Sequence, residues 1–176
     1  DVIRAAEELG AITPLHNPPQ ARVIRICREL LGESFPMVAG FDPAFHTTMP
    51  IEAKMFAIPY RYYEQNVRRF GFHGLSHQFV VERYAQCTGR DLTGTRIVTC
   101  HLGGGSSVTA VKDGKSVDNS FGIGTGKGVL CGTRVGDFDH VAIGYMMQQE
   151  GLTYDQVEDI LHRESGLLGI SGASSD

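Results

Sequence analysis

Glycine-rich segments contain several of the residues best suited to chemistry. One of them reads His101-Leu-Gly-Gly-Gly-Ser-Ser107 and lies between two apolar, β-branched runs. Glycine lets the backbone turn at positive φ, and successive N–H groups in such a turn converge on an anion. A phosphate chain is the usual ligand of a loop like this at the end of a strand. The segment therefore indicates phosphate binding, with a plain hairpin loop as the alternative.

Three further side chains are candidates for catalysis. Arg134 lies among glycines, where a guanidinium suits a transferring phosphoryl group or a carboxylate, and an ordinary surface arginine is the alternative. His73 stands among aromatic residues and glycines just before a helix, where it either donates to an oxyanion or packs between rings. Asp42 follows a short apolar run and is a candidate magnesium ligand or general base, although its surroundings also have the pattern of a turn.

Two other motifs are interpreted as structural. Gly122-Ile-Gly-Thr-Gly-Lys-Gly128 resembles a phosphate loop, but Phe121 stands where the first glycine is needed. Gly128 stands where Ser or Thr would bind magnesium, so a P-loop NTPase is excluded. Asp137 and Asp139 belong to a turn and are interpreted as solvated acids rather than as a cation site.

Composition limits the class of protein. The chain has 176 residues, of which 41% are hydrophobic and 20% charged. These values fit one domain or two small lobes with a real core and exclude disordered, coiled-coil and fibrous proteins. A formal charge of −4 argues against a general nucleic-acid binder. No apolar run approaches the roughly 18 residues that span a bilayer, and no signal peptide is recognisable, so we expect no membrane partner.

Cysteine usage and the chain ends add two expectations. The four cysteines are Cys27, Cys87, Cys100 and Cys131, and none of them forms a CxxC pair. This pattern favours buried, reduced thiols in a cytosolic protein.

The sequence opens in a helical pattern without Met and stops in a polar loop. We therefore expect a fragment.

Hydrophobic periodicity predicts an α/β protein with a hairpin-rich sheet. Helices are expected from Asp1 to Leu9, over 20–31 and 77–88, and twice near the end of the chain. Ser76 is the expected N-cap of the helix over 77–88, which would bury Phe79, Val80 and Tyr84. Thr153 and Gln156 predict a capping box. Strands are expected over 36–41, 96–102, 108–111 and 115–118, with Asp113-Gly114 as a hairpin turn.

From these residues alone, we expect a phosphate-handling α/β enzyme, with a binding module for a small anion as the alternative. Seven segments together, in order and spacing, resemble the acetate kinase family over almost the whole chain. They are Pro14–Pro18, Phe41–Pro50, Arg69–His77, Cys100–Gly103, Asp113–Asp118, Gly132–Arg134 and Gly169–Asp176.

The resemblance implies an actin-like (ribonuclease H-like) ATPase fold, with a hairpin-containing mixed sheet flanked by helices. It places residues 1–45 at the end of a first lobe and residues 46–176 at the start of a second, nucleotide-binding lobe, both incomplete. It also implies a cytoplasmic homodimer that transfers the ATP γ-phosphoryl group to acetate, giving acetyl phosphate and ADP with Mg²⁺.

Site residues follow from the same resemblance. Asp42 resembles the catalytic aspartate near the metal, and we expect it to organise Mg²⁺ because a carboxylate substrate is already ionised near pH 7. His73 and Arg134 resemble the pair that stabilises the phosphoryl group. The nucleotide loop comprises His101, Leu102, Gly103, Gly104 and Gly105, and Asp176 begins the adenosine segment. The expected substrate-pocket residues are Leu15, His16, Phe72 and Thr125.

Three residues depart from the family pattern. Gly104 stands where the family usually has Asn, Thr125 replaces a Pro of the acyl pocket, and Lys127 reverses a charge. A polar, roomier pocket is compatible with propionate or butyrate as acceptor, and a non-catalytic, actin-like nucleotide-binding remnant is the alternative from another class. Since the chain covers less than half of a typical member, we expect it to be inactive alone.

Overall fold

The structure is a computed structural model that describes residues 2–11, 16–32 and 34–176. The chain divides into two compact units, Asp1–Gly40 and Phe41–Asp176, which are treated separately. Within the described ranges, no helix has the length and apolar character that crossing a membrane requires.

The first unit is built from two helices. α1 spans Val2–Glu8 and continues as a short 3-10 turn, and α2 spans Asn17–Leu31. α2 begins three residues before the predicted start, because proline is tolerated in a first helical turn. It ends as predicted at Gly32, whose φ is +84°. Arg25 contacts the Glu7 carboxylate at 2.8–3.0 Å and connects the two helices.

The strand predicted over residues 36–41 is wrong. This stretch is irregular, and no strand among the described residues pairs with it. Val38 is 98% exposed, so the run is not buried either. A short apolar run between turn signals does not reveal whether a partner strand exists, because strand pairing is not local.

Within the described residues, the second unit holds one sheet, six α-helices, a 3-10 helix over Asp42–Thr48 and a π-helix over Ile160–Glu164. The 3-10 helix over Asp42–Thr48 packs against α5 (Gly74–Thr88) and β3 (Lys115–Asn119), and α5 packs against β1 (Arg96–Leu102). The α-helices are α3 (Ile51–Lys54), α4 (Arg61–Glu64), α5 (Gly74–Thr88), α6 (His140–Glu150), α7 (Tyr154–Asp159) and α8 (Gly166–Ser171). The strands are β1 (Arg96–Leu102), β2 (Ser106–Lys112) and β3 (Lys115–Asn119).

The sheet has the order β1-β2-β3 and is antiparallel in both pairings. The expected hairpins are therefore confirmed, and the described strands include no parallel pair of the kind a mixed sheet would contain. Asp113 and Gly114 have φ values of +53° and +74°, which is the geometry that a two-residue Asp-Gly hairpin turn requires. β2 begins two residues before the predicted start, because its first residues, Ser106 and Ser107, are buried polar residues.

The predicted buried face of α5 is wrong. The helix starts at Gly74 with His73 at the N-cap, and Ser76 contacts His101 instead of capping. Phe79 is 65% exposed and Val80 is also exposed, whereas His77 and Val81 are buried. Burial of His77 is possible because both ring nitrogens have hydrogen-bond partners on the sheet.

Two more expectations can be compared with the structure. The capping box of Thr153 and Gln156 is confirmed at the start of α7. The expectation of buried thiols holds only for Cys131, since Cys27 is half-buried and both Cys87 and Cys100 are exposed. All four cysteines are free. The alternating pattern of β1 places Cys100 on its outer face, a position that composition does not reveal.

Candidate active site

Asp42 and His73 meet where two loops pack closely together. Asp42 opens the 3-10 helix, and its Oδ2 accepts the His73 backbone N–H at 2.6 Å. His73 has φ +59°, a left-handed conformation that is uncommon outside glycine. A side chain at Gly74 would overlap the Asp42 carbonyl oxygen, so glycine is required for this approach. The Asp42 carboxylate thereby fixes the turn that orients His73.

The His73 ring is held on three sides. Its Nδ1 lies 2.9 Å from Ser107 Oγ, and its ring stacks on His101 with centroids 3.9 Å apart. The ring also meets the edge of Phe121 at 5.2 Å. Burial, with the neighbouring charges of His101 and Arg134, lowers the pKa of His73 to about 4 against the opposing effect of Asp42. His73 is therefore a neutral imidazole at neutral pH.

Arg134 lies against the glycine loop beside this histidine. A Cβ at Gly105 would overlap Arg134 Nη2 and would come within 3.4 Å of His73 Cε1. Arg134 Nη1 donates to the Thr125 carbonyl at 3.1 Å, and its guanidinium lies 5.9 Å from the centre of the Phe121 ring. Within the described part of the chain, no carboxylate forms an ion pair with Arg134. The Arg134 guanidinium therefore lies next to His73 without an ion-pair partner among the described residues.

The loop after β1 connects to the loop of Arg134. Gly132 N–H donates to the Gly104 carbonyl at 3.3 Å, and a side chain at Gly132 would meet Ser175 O at 2.8 Å. His101 Nδ1 lies 2.9 Å from Ser76 Oγ, which anchors the start of the loop to α5. Leu102, in the same segment, is 75% exposed.

The other expected site residues are less involved in this cluster. The Phe72 ring meets Phe121 edge-on at 6.0 Å. Thr125 takes part through its carbonyl. Asp176 is exposed and its N–H donates to Ser174 Oγ at 3.1 Å. His16 is exposed at the N-cap of α2 in the first unit. Leu15 lies outside the described residues.

Residues that the sequence analysis did not assign support the cluster from below. His46 Nε2 donates to the Phe72 carbonyl at 3.0 Å, and burial lowers the pKa of His46. Asn119 accepts the Phe121 N–H at 2.9 Å. His46 belongs to the Asp42 motif and His77 to the His73 motif, so this membership was the only available signal of their importance.

The remaining acidic candidates have structural contacts. Asp137 accepts from Lys127 Nζ at 2.9 Å and from the Gly128 N–H at 3.0 Å. Asp139 caps α6 by accepting the Val141 N–H at 2.9 Å. Both carboxylates therefore have local hydrogen-bond partners.

In the described cluster, Asp42 is the acidic side chain that could accommodate a magnesium ion. Among the described residues, no group of three or more His, Cys, Asp or Glu side chains is arranged to hold a metal. Magnesium usually takes one or two carboxylates and completes its shell with waters and phosphate oxygens. Asp42 uses Oδ2 for the His73 N–H, and no described residue donates to its Oδ1. A single available carboxylate oxygen therefore fits magnesium bound together with a phosphate.

Comparison with known proteins identifies relatives of the whole chain. A sequence profile described as the acetokinase family matches residues 1–176. The chain is 48% identical over 177 aligned residues to an acetate kinase of Caldanaerobacter subterraneus subsp. tengcongensis and 45% identical to one of Desulfitobacterium hafniense. Each alignment covers 100% of this chain and 44% of the relative. The chain thus spans less than half the length of the curated relatives it matches.

Solved structures give the same result for the fold. The crystal structure of Porphyromonas gingivalis acetate kinase matches with a TM-score of 0.91 at 40% identity, over 99% of this chain and 44% of that one. A propionate kinase from Francisella tularensis matches with a TM-score of 0.92 at 38% identity, over the same shares. The chain therefore shares its fold with both of these kinases over 99% of its length.

Proposed function

Because this chain belongs to the acetokinase family, we propose that it carries the phosphoryl-transfer site of an acetate kinase. The reaction moves the γ-phosphoryl group of ATP to a carboxylate oxygen of acetate and releases ADP. One observation carries the proposal: Asp42, His73 and Arg134 converge beside the Gly103–Gly105 loop. Phosphoryl transfer needs positioning and charge stabilisation rather than covalent help from the protein, and this cluster offers both.

Arg134 and His73 stabilise the phosphoryl group in flight. The transition state spreads negative charge over three equatorial oxygens. Arg134 has no ion-pair partner among the described residues, so its guanidinium is available to these oxygens. His73 is neutral and contributes through a ring N–H rather than through charge. Donors fixed in advance at a site of developing charge are worth about 10²–10³ in rate each.

Asp42 orients magnesium rather than acting as a base. The acceptor carboxylate is ionised near neutral pH and has no proton to lose. Asp42 instead offers Oδ1 to the metal while its Oδ2 holds the His73 backbone. When bound, Mg²⁺ neutralises charge on the ATP phosphates.

The glycine loop binds the nucleotide phosphates. His101, Leu102 and Gly103–Gly105 belong to this loop, and Asp176 begins the segment that contacts adenosine. The Gly132 N–H to Gly104 bond supports this assignment, because it holds the loop next to Arg134.

For the acceptor carboxylate, the proposed contacts within the second unit are Phe72 and Thr125. We propose acetate as the acceptor and propionate as the second candidate, which the similarity to a propionate kinase favours. Thr125 is the residue on which the choice depends, because its carbonyl holds Arg134 while its side chain replaces a proline of the family pattern.

The larger organisation is proposed on the same basis. Residues 1–45 end the first lobe and residues 46–176 begin the nucleotide-binding lobe of a cytoplasmic homodimer. The division of the chain into two compact units after Gly40 supports a boundary in this region. Light scattering on the whole protein measures its oligomeric state.

A chimera provides the direct test. Residues 1–176 replace the matching segment of the Caldanaerobacter acetate kinase, and acyl phosphate is trapped with hydroxylamine after incubation with ATP, Mg²⁺ and acetate, propionate or butyrate. Arg134→Ala should lower kcat about 10²–10³-fold. Arg90→Ala is the control, because Arg90 is exposed and contacts only the Tyr84 hydroxyl among the described residues, at 3.4 Å.

Two results would refute the proposal. One is a folded chimera that binds ADP yet forms no acyl phosphate with any of the three acids, as a non-catalytic remnant would. The other is full activity in Arg134→Ala. The 176-residue chain, assayed in parallel, is expected to be inactive alone.

A further inference from the structure

A chain of hydrogen bonds runs from the sheet to the His73 ring. Thr99 Oγ1 lies 2.7 Å from His77 Nδ1, and His77 Nε2 lies 2.8 Å from Ser107 Oγ. Ser107 Oγ in turn lies 2.9 Å from His73 Nδ1. Thr99, His77 and Ser107 are 3%, 1% and 0% exposed, so water cannot replace a missing partner.

The single proton of Ser107 couples the two imidazoles. Its hydroxyl contacts both rings, so when both are neutral it donates to one nitrogen and accepts from the N–H of the other. Two arrangements satisfy this requirement. Either Ser107 donates to His73 Nδ1 and accepts from His77 Nε2, or both bonds run in the opposite direction. The tautomers of His73 and His77 therefore change together.

Thr99 decides between these arrangements. In the first, His77 Nδ1 is a lone pair and the Thr99 hydroxyl donates to it. In the second, His77 Nδ1 carries the proton and Thr99 must accept it, which leaves the threonine's own proton without an acceptor. Within the described residues, Thr99 Oγ1 has no second hydrogen-bond partner. A buried donor without an acceptor is unfavourable, so the first arrangement is preferred.

We propose that Thr99, His77 and Ser107 lock His73 in the tautomer protonated on Nε2. Nδ1 is occupied by Ser107, and no described residue hydrogen-bonds to Nε2, so the lock makes the free nitrogen a donor. If the proposed function holds, this N–H donates to the phosphoryl oxygens, whereas the other tautomer would present a lone pair to the same negative charge. Thr99, His77 and Ser107 are positioning residues in this scheme.

The test reads the tautomer directly and needs no turnover. The 176-residue chain is labelled with ¹⁵N-histidine and examined by NMR at pH 8, where an ordinary imidazole is neutral. Protonated and unprotonated ring nitrogens resonate far apart, and the His73→Gln spectrum assigns the signals. We expect the wild-type proton on Nε2. A wild-type proton on Nδ1 overturns the proposal without any variant.

Matched variants of Thr99 test the coupling. Thr99→Val removes the hydroxyl and keeps the shape, and it should move part of His73 to the Nδ1-protonated form. Thr99→Ser keeps the hydroxyl and should give the wild-type tautomer. With Ser107→Ala in the background, Thr99→Val should have no further effect on His73. If the His73 ring-nitrogen signals are the same in Thr99→Val as in the wild type, the proposed lock is refuted.

Kinetics of the chimera separate this inference from the proposed function. Activity should follow the fraction of His73 protonated on Nε2, so an equal mixture in Thr99→Val lowers kcat about twofold, and Thr99→Ser restores it. An inactive chimera with a locked His73 would refute the proposed function and leave the lock intact. An active chimera whose His73 tautomer does not respond to Thr99→Val would refute the lock alone.

Discussion

Gly105 determines where the Arg134 guanidinium lies. The space that a side chain would occupy is filled by Arg134 Nη2, which an added Cβ would overlap. Non-bonded heavy atoms have their best contact at roughly 3.5 Å, so the guanidinium must shift by roughly 1 Å to admit one methyl group. Gly105→Ala therefore displaces the Arg134 guanidinium while residue 134 itself remains an arginine.

The expected effect on activity is much larger than the effect on stability. Gly105 is not among the positive-φ residues, so alanine can adopt its backbone conformation. The overlapped atom is the end of a flexible side chain, and we expect the free energy of unfolding to change by less than about 0.5 kcal/mol. A misplacement of 1 Å in a positioning group can lower a rate about 100-fold, and we expect this loss in kcat.

Gly144→Ala is the matched control outside the site. Gly144 lies in α6, and a Cβ there meets nothing within 4 Å. Both variants are made in the chimera, kcat is measured by acyl phosphate trapping, and stability by urea denaturation. Equal kcat values for Gly105→Ala and Gly144→Ala would refute the reasoning, as would a loss of activity in Gly105→Ala that follows unfolding.

Two further predictions concern the support beneath the site. Asn119→Ala removes the acceptor of the Phe121 N–H and the donor to Thr109 Oγ1 at 2.7 Å; urea denaturation should show a loss of about 2–4 kcal/mol, and unchanged stability would contradict it. Burial, with three neighbouring histidines, lowers the pKa of His77 from 6.5 to about 4, so between these pH values the unfolded chain binds more protons than the folded chain. The free energy of unfolding should therefore fall as the pH drops from 6.5 to 4, with His77 contributing at most about 1.4 kcal/mol per pH unit. His77→Gln should make this pH dependence less steep, and an equally steep dependence in the variant would show that His77 is not the cause.

Local chemistry made several elements predictable. The Asp113-Gly114 turn needs two residues that accept positive φ, and the sequence places such residues between two β-branched runs. The capping box of α7 likewise depends only on Thr153 and Gln156. Motif spacing placed Asp42, His73 and Arg134 on the candidate list, and the structure brings all three together.

The failures concern contacts between distant segments. The run over 36–41 has the composition of a strand, but pairing needs a second strand that composition does not supply. The buried face of α5 depends on His77, and a histidine is buried only if the opposite surface offers partners. Those partners, Thr99 and Ser107, lie on two different strands.

The core under the site is polar, which explains the wrong buried face predicted for α5 and the proposed precision of the site. On β2 the buried positions are Ser106, Ser107, Thr109 and Val111, three of which are polar, whereas the apolar Val108 and Ala110 are only half-buried. A hydrophobic pattern therefore identifies only part of the buried side of this strand. Hydrogen bonds are directional, so a satisfied polar network fixes side-chain orientation more narrowly than apolar packing does. For a reaction that depends on where a guanidinium and an imidazole point, a polar support holds these groups more narrowly than apolar packing would, so its loss should lower the rate as well as the stability.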